Sequence, residues 1–106
     1  MSGTLEKLEA IIAKRRVSDP ALSYVAKLTM KGRGKIAQKV GEEAVETVIA
    51  AIEADAKGVT TEAADLLFHL LVLLADMDVP LWAVLAELER REGTSGLVEK
   101  AARKES

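Results

Sequence analysis

Five acidic side chains in the middle of the chain have the types and spacing of a metal-binding site. Glu42, Glu43 and Glu46 form one group, and Glu62 and Asp65 form a second. Residues three or four apart share one face of a helix, so Glu43 and Glu46 project together, with Glu42 one turn back from Glu46. The same spacing brings Glu62 and Asp65 together. Carboxylates that converge on one point repel each other and attract a divalent cation.

The rest of the composition narrows the choice of ion. The chain has no cysteine and a single histidine, which excludes thiolate metal sites, cysteine nucleophiles and disulfides. A site built from carboxylate oxygens favours Mg²⁺ or Mn²⁺ over Zn²⁺. We therefore expect Mg²⁺, with Mn²⁺ as the alternative.

Each acidic group taken alone also has an ordinary explanation. Glu62 and Asp65 lie at the start of a predicted helix, where the helix dipole favours acids. The other group could be a solvated face on which Lys39 pairs with Glu43. A metal site is favoured because both groups occur on consecutive helices, and the second helix is otherwise apolar.

A basic stretch precedes the acidic residues. Positions 20–41 contain five basic residues and no acid, whereas positions 42–65 contain seven acids and one lysine. This order suits a metal-bound polyphosphate: the acids hold the cation, and Arg33, Lys35 and Lys39 neutralise the remaining oxygens. A loop at Gly32–Gly34 would help to cradle them, although it lacks the Gly-Lys-Ser/Thr end of a P-loop.

Three further polar side chains are candidate substrate contacts. His69 lies one helical turn beyond Asp65, and Ser23 and Tyr24 offer two hydroxyls at the start of a predicted helix. No base is recognisable beside the hydroxyls, so neither is expected to be a nucleophile.

The pattern of apolar residues predicts an all-α fold of about five helices, because no sustained period-two alternation occurs. Asp19 with Pro20 is expected to start the second helix, and a turn at Gly58–Thr60 is expected before Thr60 or Thr61 caps the fourth. The fourth helix would then follow the third as an antiparallel neighbour. Residues 93–96 are expected to form a flexible joint before a short C-terminal tail. The predicted helices span 5–16, 20–31, 35–56, 62–77 and 80–92.

The fourth predicted helix is apolar almost all round between Ala63 and Ala75. Its 13 residues include Asp65 and His69 and fall short of the roughly 20 needed to cross a membrane. A helix of this kind must be covered on every side, and four short companions cannot easily do so. We therefore expect a homodimer or larger symmetric assembly with the third and fourth helices near its interface.

Length and composition limit the class of protein. The 106 residues, 49% hydrophobic and 30% charged, indicate one soluble globular domain. A net charge of −2 and 3% aromatic residues argue against nucleic-acid binding. The first residues lack a basic start followed by an apolar run, so we expect a cytoplasmic protein with no membrane association.

The carboxylates also carry a resemblance to known proteins. Glu42, Glu43 and Glu46, followed after fifteen residues by Glu62 and Asp65, match the EExxE…ExxD signature of the all-α, MazG-like NTP pyrophosphatases. The surrounding segments 23–28, 39–51, 62–74 and 95–103 look like those of the phosphoribosyl-ATP pyrophosphatase family of histidine biosynthesis. The resemblance spans about residues 5–103, with Phe68 where the family more often has tyrosine.

The resemblance implies an activity and roles for individual residues. Members hydrolyse the α–β phosphoanhydride of 1-(5-phosphoribosyl)-ATP to phosphoribosyl-AMP and pyrophosphate. Glu42 would support a metal ligand or act as the base that orients the attacking water. Lys35, Lys39 and Arg33 would contact the triphosphate, with Lys100 and Arg103 as more distant candidates. The implied Mg²⁺ ligands are Glu43, Glu46, Glu62 and Asp65.

Two other functions fit the same residues. A house-cleaning pyrophosphatase that acts on dNTPs or damaged NTPs would use the same metal site, and only a substrate panel separates it. A non-catalytic helical dimerisation module would carry the acids merely as surface, and it would show neither Mg²⁺-dependent stabilisation nor release of pyrophosphate.

Overall fold

A computed structural model describes residues 3–93 and 96–105 of the chain. The predicted all-α class is confirmed, since the described part contains no strand. It has six helices rather than five, because the C-terminal tail is itself helical; Thr94 and Ser95 of the expected flexible joint lie outside the described residues. The helices are α1 (Thr4–Arg15), α2 (Tyr24–Lys31), α3 (Arg33–Ile52), α4 (Ala56–Asp76), α5 (Leu81–Arg90) and α6 (Gly96–Glu105).

The two longest helices, α3 and α4, pack along each other as an antiparallel hairpin and form the most extensive contact between elements. Helix α1 packs on α4, and α2 packs on α3 and on α1. Helix α5 begins where the Leu81 N–H donates a 2.7 Å hydrogen bond to Glu9 Oε2 of α1. The buried core joins five of the helices through Ile12, Val25, Leu28, Ile36, Leu71, Val72 and Leu81.

The turn between α3 and α4 is shorter and earlier than the sequence pattern predicts. Ala54 adopts a left-handed conformation with φ 56°. Its N–H donates to the Ala51 carbonyl, and the Asp55 N–H donates to the Ala50 carbonyl, both at 3.0 Å. This pair of hydrogen bonds is the Schellman motif that ends many helices, normally with glycine at the left-handed position. The predicted turn at Gly58–Thr60 is therefore wrong.

Gly58 lies inside the first turn of α4 instead. The Asp55 side chain caps the helix by accepting a 2.9 Å hydrogen bond from the Gly58 N–H. A Cβ built on Gly58 would collide with the Asp55 carboxylate, so a larger residue there would force the capping side chain to shift. The predicted caps Thr60 and Thr61 lie within the helix, and their hydroxyls donate to backbone carbonyls one turn back.

The start of α2 and the expected phosphate loop also differ from prediction. Ser23 caps α2 by accepting from the Ala26 N–H at 3.1 Å, because Asp19 is used in a separate turn in which it accepts from the Ala21 N–H. Gly32, with φ 98°, is a single-residue junction between α2 and α3. Gly32–Gly34 is therefore not a loop, and Arg33 begins α3.

Helix α4 has 21 residues, and by length and composition alone it is long and apolar enough to cross a membrane. The apolar run between Ala63 and Ala75 that marks this helix in the sequence is therefore shorter than the helix itself. Core helices of soluble proteins meet the same criterion, and α4 carries Glu62 and Asp65 near its middle. Only His69, Leu71 and Val72 of α4 are buried within the chain, and Leu67 is 46% exposed, so part of its apolar surface is left uncovered by its own neighbours.

Replacing Ala54 with glycine should stabilise the protein. A residue other than glycine in the left-handed region is strained by roughly 1–2 kcal/mol, and glycine removes that strain at a smaller entropic cost. We expect Ala54→Gly to raise the free energy of unfolding by about 0.5–1 kcal/mol in urea titrations. The matched control Ala51→Gly, within α3, should lower it by about 1 kcal/mol. Equal destabilisation by both would contradict the left-handed turn.

Candidate metal centre

The position of the turn sets which residues of α3 and α4 face each other. Glu43 and Asp65 are equally far along the chain from Ala54, and the same holds for Glu46 and Glu62. In an antiparallel hairpin, residues equidistant from the turn lie at the same level. The two acidic groups therefore meet across the helix pair.

Three of the carboxylates form a compact cluster. Glu43, Glu62 and Asp65 each place an oxygen within 4.8 Å of the others. Glu43 is only 6% exposed, and Oε2 of Glu43 and Oε2 of Glu62 are buried without a hydrogen-bond partner. Buried acceptors normally have partners. Unpartnered oxygens of like charge fit a divalent cation, whose preferred ligands are carboxylate oxygens.

Glu46 completes the cluster at its exposed side. A hydrogen bond shared with Glu46, burial, and the negative charges of Glu46 and Glu43 raise the pKa of Glu62 to about 7. The pKa rises because a neighbouring negative charge disfavours the ionised form of a carboxyl group. These acids lie beyond the first turn of α4, so the helix dipole does not explain Glu62 and Asp65.

Lys39 lies beside this cluster. Its Nζ is 3.7 Å from Glu43 Oε1 and 3.8 Å from Glu42 Oε1, which places Glu42 at the rim. Burial works to lower the pKa of Lys39, but the charges of Glu42, Tyr24, Glu43 and Glu46 together raise it above its usual value. A single ammonium compensates only part of the negative charge gathered there.

The other predicted basic contacts are spread along α3 and α6. Lys35 is half-buried one turn before Lys39, in line with it. The Nε of Arg33 instead donates to Asp76 Oδ2 at 2.9 Å, at the opposite end of the hairpin and about 15 Å of helix from Glu43. Within one chain the structure does not bring Arg33 to the carboxylates. Lys100 and Arg103 lie on exposed positions of α6.

His69 and Tyr24 are joined by a hydrogen bond that the sequence does not reveal. His69 is 6% exposed, and its Nδ1 lies 2.8 Å from the Asp65 carbonyl. A carbonyl only accepts, so Nδ1 carries the hydrogen. In the neutral ring Nε2 is then the acceptor, and the Tyr24 hydroxyl, 2.8 Å away, donates to it. His69 thus links Tyr24 to the backbone of a candidate metal ligand.

A pocket of about 490 Å³ opens beside Tyr24, between the end of α1 and the start of α2. Arg15, Leu22 and Phe68 line it together with Ser23 and Tyr24. Of these residues, only Ser23 and Tyr24 are predicted substrate contacts. Phe68 could have been noticed because it lies one turn from Asp65 on α4, whereas nothing in the sequence marks Arg15 or Leu22. The Ser23 hydroxyl is engaged with the backbone, since it also donates to the Arg15 carbonyl.

An antiparallel helical hairpin on which the EExxE and ExxD carboxylates face each other is characteristic of the all-α NTP pyrophosphatases. Within that class the comparison is specific, because the family model "Phosphoribosyl-ATP pyrophosphohydrolase" matches residues 5–92. The chain belongs to the phosphoribosyl-ATP pyrophosphohydrolase family.

Three similar proteins carry the name phosphoribosyl-ATP pyrophosphatase. The protein from Rhizorhabdus wittichii is 70% identical over 103 residues, which cover 97% of each chain. The Novosphingobium aromaticivorans protein is 66% identical over 93% of this chain and 92% of its own length. The Erythrobacter litoralis protein is 61% identical over 94% and 96%.

Removing one carboxylate from the cluster should abolish stabilisation by metal without unfolding the protein. A cation that binds only the folded chain stabilises it by about 2.7 kcal/mol at one hundred times its Kd. We expect Mg²⁺ or Mn²⁺ to raise the Tm of the unmodified protein and to leave that of Asp65→Asn unchanged. Metal-free Asp65→Asn should be at least as stable as its parent, because a like charge has been removed.

Glu53→Gln provides the control for this change. Glu53 is an exposed acid at the turn of the same hairpin, and its loss should leave the metal-induced rise in Tm intact. A normal rise in Asp65→Asn, measured by differential scanning calorimetry across a titration of Mn²⁺, would contradict the assignment of Asp65.

Proposed function

We propose that this chain is a metal-dependent phosphoribosyl-ATP pyrophosphohydrolase. Water would attack the α–β phosphoanhydride of 1-(5-phosphoribosyl)-ATP and release phosphoribosyl-AMP and pyrophosphate, an early step of histidine biosynthesis. The observation that carries the proposal is the cluster of Glu43, Glu62 and Asp65, with two buried oxygens that have no hydrogen-bond partner, in a chain of this family.

The cluster is suited to Mg²⁺, with Mn²⁺ as the alternative. Glu43, Glu62 and Asp65 would hold the cation, and Glu46 would join them from the exposed side. A bound cation of this kind supplies charge neutralisation for the phosphate oxygens and lowers the pKa of water. Oxygen-only ligands are the reason for preferring these ions to Zn²⁺.

Water is the nucleophile that the side chains favour. The chain has no cysteine, the Ser23 hydroxyl is bound to backbone groups, and the Tyr24 hydroxyl donates to His69. Glu42, at the rim of the cluster, would orient the attacking water. Catalysis would then come mainly from positioning and from stabilising charge on the phosphates.

The cationic side chains would bind the triphosphate. Lys39 is already within 4 Å of two carboxylates and would exchange them for phosphate oxygens when a cation occupies the cluster. Lys35 extends the same side of α3 by one turn. Arg33 is paired with Asp76 within the single chain. An arginine contact to the triphosphate would therefore have to come from Arg33 of a second copy of the chain.

We further propose that the protein is a homodimer or higher homo-oligomer. Val45, Val48, Ile49 and Ile52 form one stripe along α3 and are each more than half exposed. Apolar stripes of this kind on a small protein mark an interface, and Leu67 on the neighbouring α4 is also 46% exposed. A second copy packed on this stripe would bury both.

The remaining expectations follow from this assignment. One catalytic domain would span the chain, with residues 93–106 as a short C-terminal extension. Its partner would be a small nucleotide rather than nucleic acid or a membrane, and the apolar α4 would be the core helix of a soluble cytoplasmic assembly. The family membership supports each of these points.

A substrate panel tests the activity. The protein should release pyrophosphate from phosphoribosyl-ATP with Mg²⁺, and much more slowly from ATP, dCTP or dUTP. EDTA should stop the reaction, and excess Mg²⁺ should restore it. A preference for dCTP or dUTP would instead identify a house-cleaning enzyme. No pyrophosphate release from any substrate would favour the non-catalytic helical dimerisation module.

Introducing charge into the apolar stripe tests self-association. Val48→Glu should shift the molar mass measured by size-exclusion chromatography with light scattering toward a single chain, because a buried carboxylate is costly in an interface. Val17→Glu is the matched control, since Val17 is 82% exposed and lies away from α3. An unmodified protein that runs as a single chain at micromolar concentration would overturn the proposal.

A further inference from the structure

The pocket beside Tyr24 lies next to the carboxylate cluster but has a different chemical character. Phe68, in its wall, is one helical turn along α4 from Asp65, and Tyr24 connects to the Asp65 carbonyl through His69. The pocket is therefore connected to Asp65 in two ways. One connection is a single turn of α4, and the other is a pair of hydrogen bonds through His69. A molecule bound at the cluster by its phosphates would have its remaining part at this pocket.

The lining suits an uncharged, flat group rather than a polyphosphate. Tyr24 and Phe68 lie with ring centroids 6.3 Å apart and planes 28° from parallel, and Leu22 adds apolar surface. Arg15 and Asp19, also in the wall, balance each other in charge. A volume of about 490 Å³ falls within the roughly 300–1,000 Å³ of small-molecule sites.

The hydroxyl of Tyr24, a residue that lines the pocket, has a defined polarity. Its hydrogen is committed to His69 Nε2, because the Asp65 carbonyl fixes the tautomer of the ring. The Tyr24 oxygen can therefore accept a hydrogen bond from a ligand but has no hydrogen left to donate to one. A sugar hydroxyl is the kind of donor that this oxygen can select.

We propose that this pocket holds the nucleoside part of the substrate, with the base against Phe68 and Tyr24 and a ribose hydroxyl donating to the Tyr24 oxygen. This inference rests on the proposed function and extends it, because it assigns the group that distinguishes a ribonucleotide from its deoxy analogue. His69 is a positioning residue in this arrangement, since it orients the Tyr24 hydroxyl without touching the substrate.

Binding can be tested without turnover. The chain has one tyrosine, one phenylalanine and one tryptophan, so each set of aromatic proton signals is identified by residue type alone. Titration with adenosine 5′-monophosphate and Mg²⁺ should shift the ring signals of Tyr24 and Phe68 upfield, because bases stack on aromatic faces. Trp82, 71% exposed on α5, should not move. Shifts confined to Trp82, or none, would overturn the assignment.

Tyr24→Phe tests the hydroxyl separately from the ring. The unmodified protein should bind adenosine 5′-monophosphate about three- to tenfold more tightly than its 2′,3′-dideoxy analogue, the worth of one hydrogen bond. Tyr24→Phe should bind both equally and still show an upfield shift of its phenylalanine signals, with its affinity for Mn²⁺ retained. Undiminished discrimination in Tyr24→Phe would overturn the role of the hydroxyl.

A pocket-filling substitution connects binding to catalysis. Ser18 lies at the exposed edge of the pocket, and Ser18→Trp should raise the KM for phosphoribosyl-ATP at least tenfold with a smaller change in kcat. Val17→Trp, one residue away and outside the lining, should leave both unchanged. An unaltered KM in Ser18→Trp would overturn the pocket while pyrophosphate release stands. Failure of the unmodified protein to release pyrophosphate would overturn the proposed function instead, and the titration would still decide the pocket.

Discussion

Mutual repulsion among acids held partly out of water is the interaction around which this small fold is organised. Glu43 is buried, Glu62 has an unpartnered oxygen, and its pKa is raised to about 7. Such a cluster opposes folding, so the surrounding apolar core must hold it in place. Two almost fully buried residues stabilise the hairpin beside the acids. Ile36 precedes the acidic group of α3, and Val72 follows the acidic group of α4.

Much of the site is readable from spacing alone. Positions three or four apart share a helix face whatever the rest of the chain does, so the pairing of Glu43 with Glu46 and of Glu62 with Asp65 requires only that these segments be helical. The register between the two helices is not readable in this way. Gly58 and Thr60 have the composition of a turn, yet the chain turns at Ala54, a residue that rarely adopts the left-handed conformation. A turn at Gly58 would have placed the two groups several residues out of level.

Contacts between distant segments were beyond sequence reasoning for a different reason. Tyr24 and His69 are 45 positions apart, and no periodicity relates them; each appeared only as an isolated candidate. Arg33 looked like a phosphate ligand because it stands in a basic stretch between two glycines. The hairpin instead brings Arg33 to Asp76. The sequence alone does not predict which acidic residue an arginine will contact.

The equal distances of the facing acids from Ala54 have a consequence for how such a gene can vary. Surface turns usually tolerate insertions and deletions. Here one added residue would rotate every following position of α4 by about 100° and advance it by about 1.5 Å, which would carry Glu62 and Asp65 away from Glu46 and Glu43. The length of the segment that separates the two motifs is thus constrained together with the carboxylates themselves.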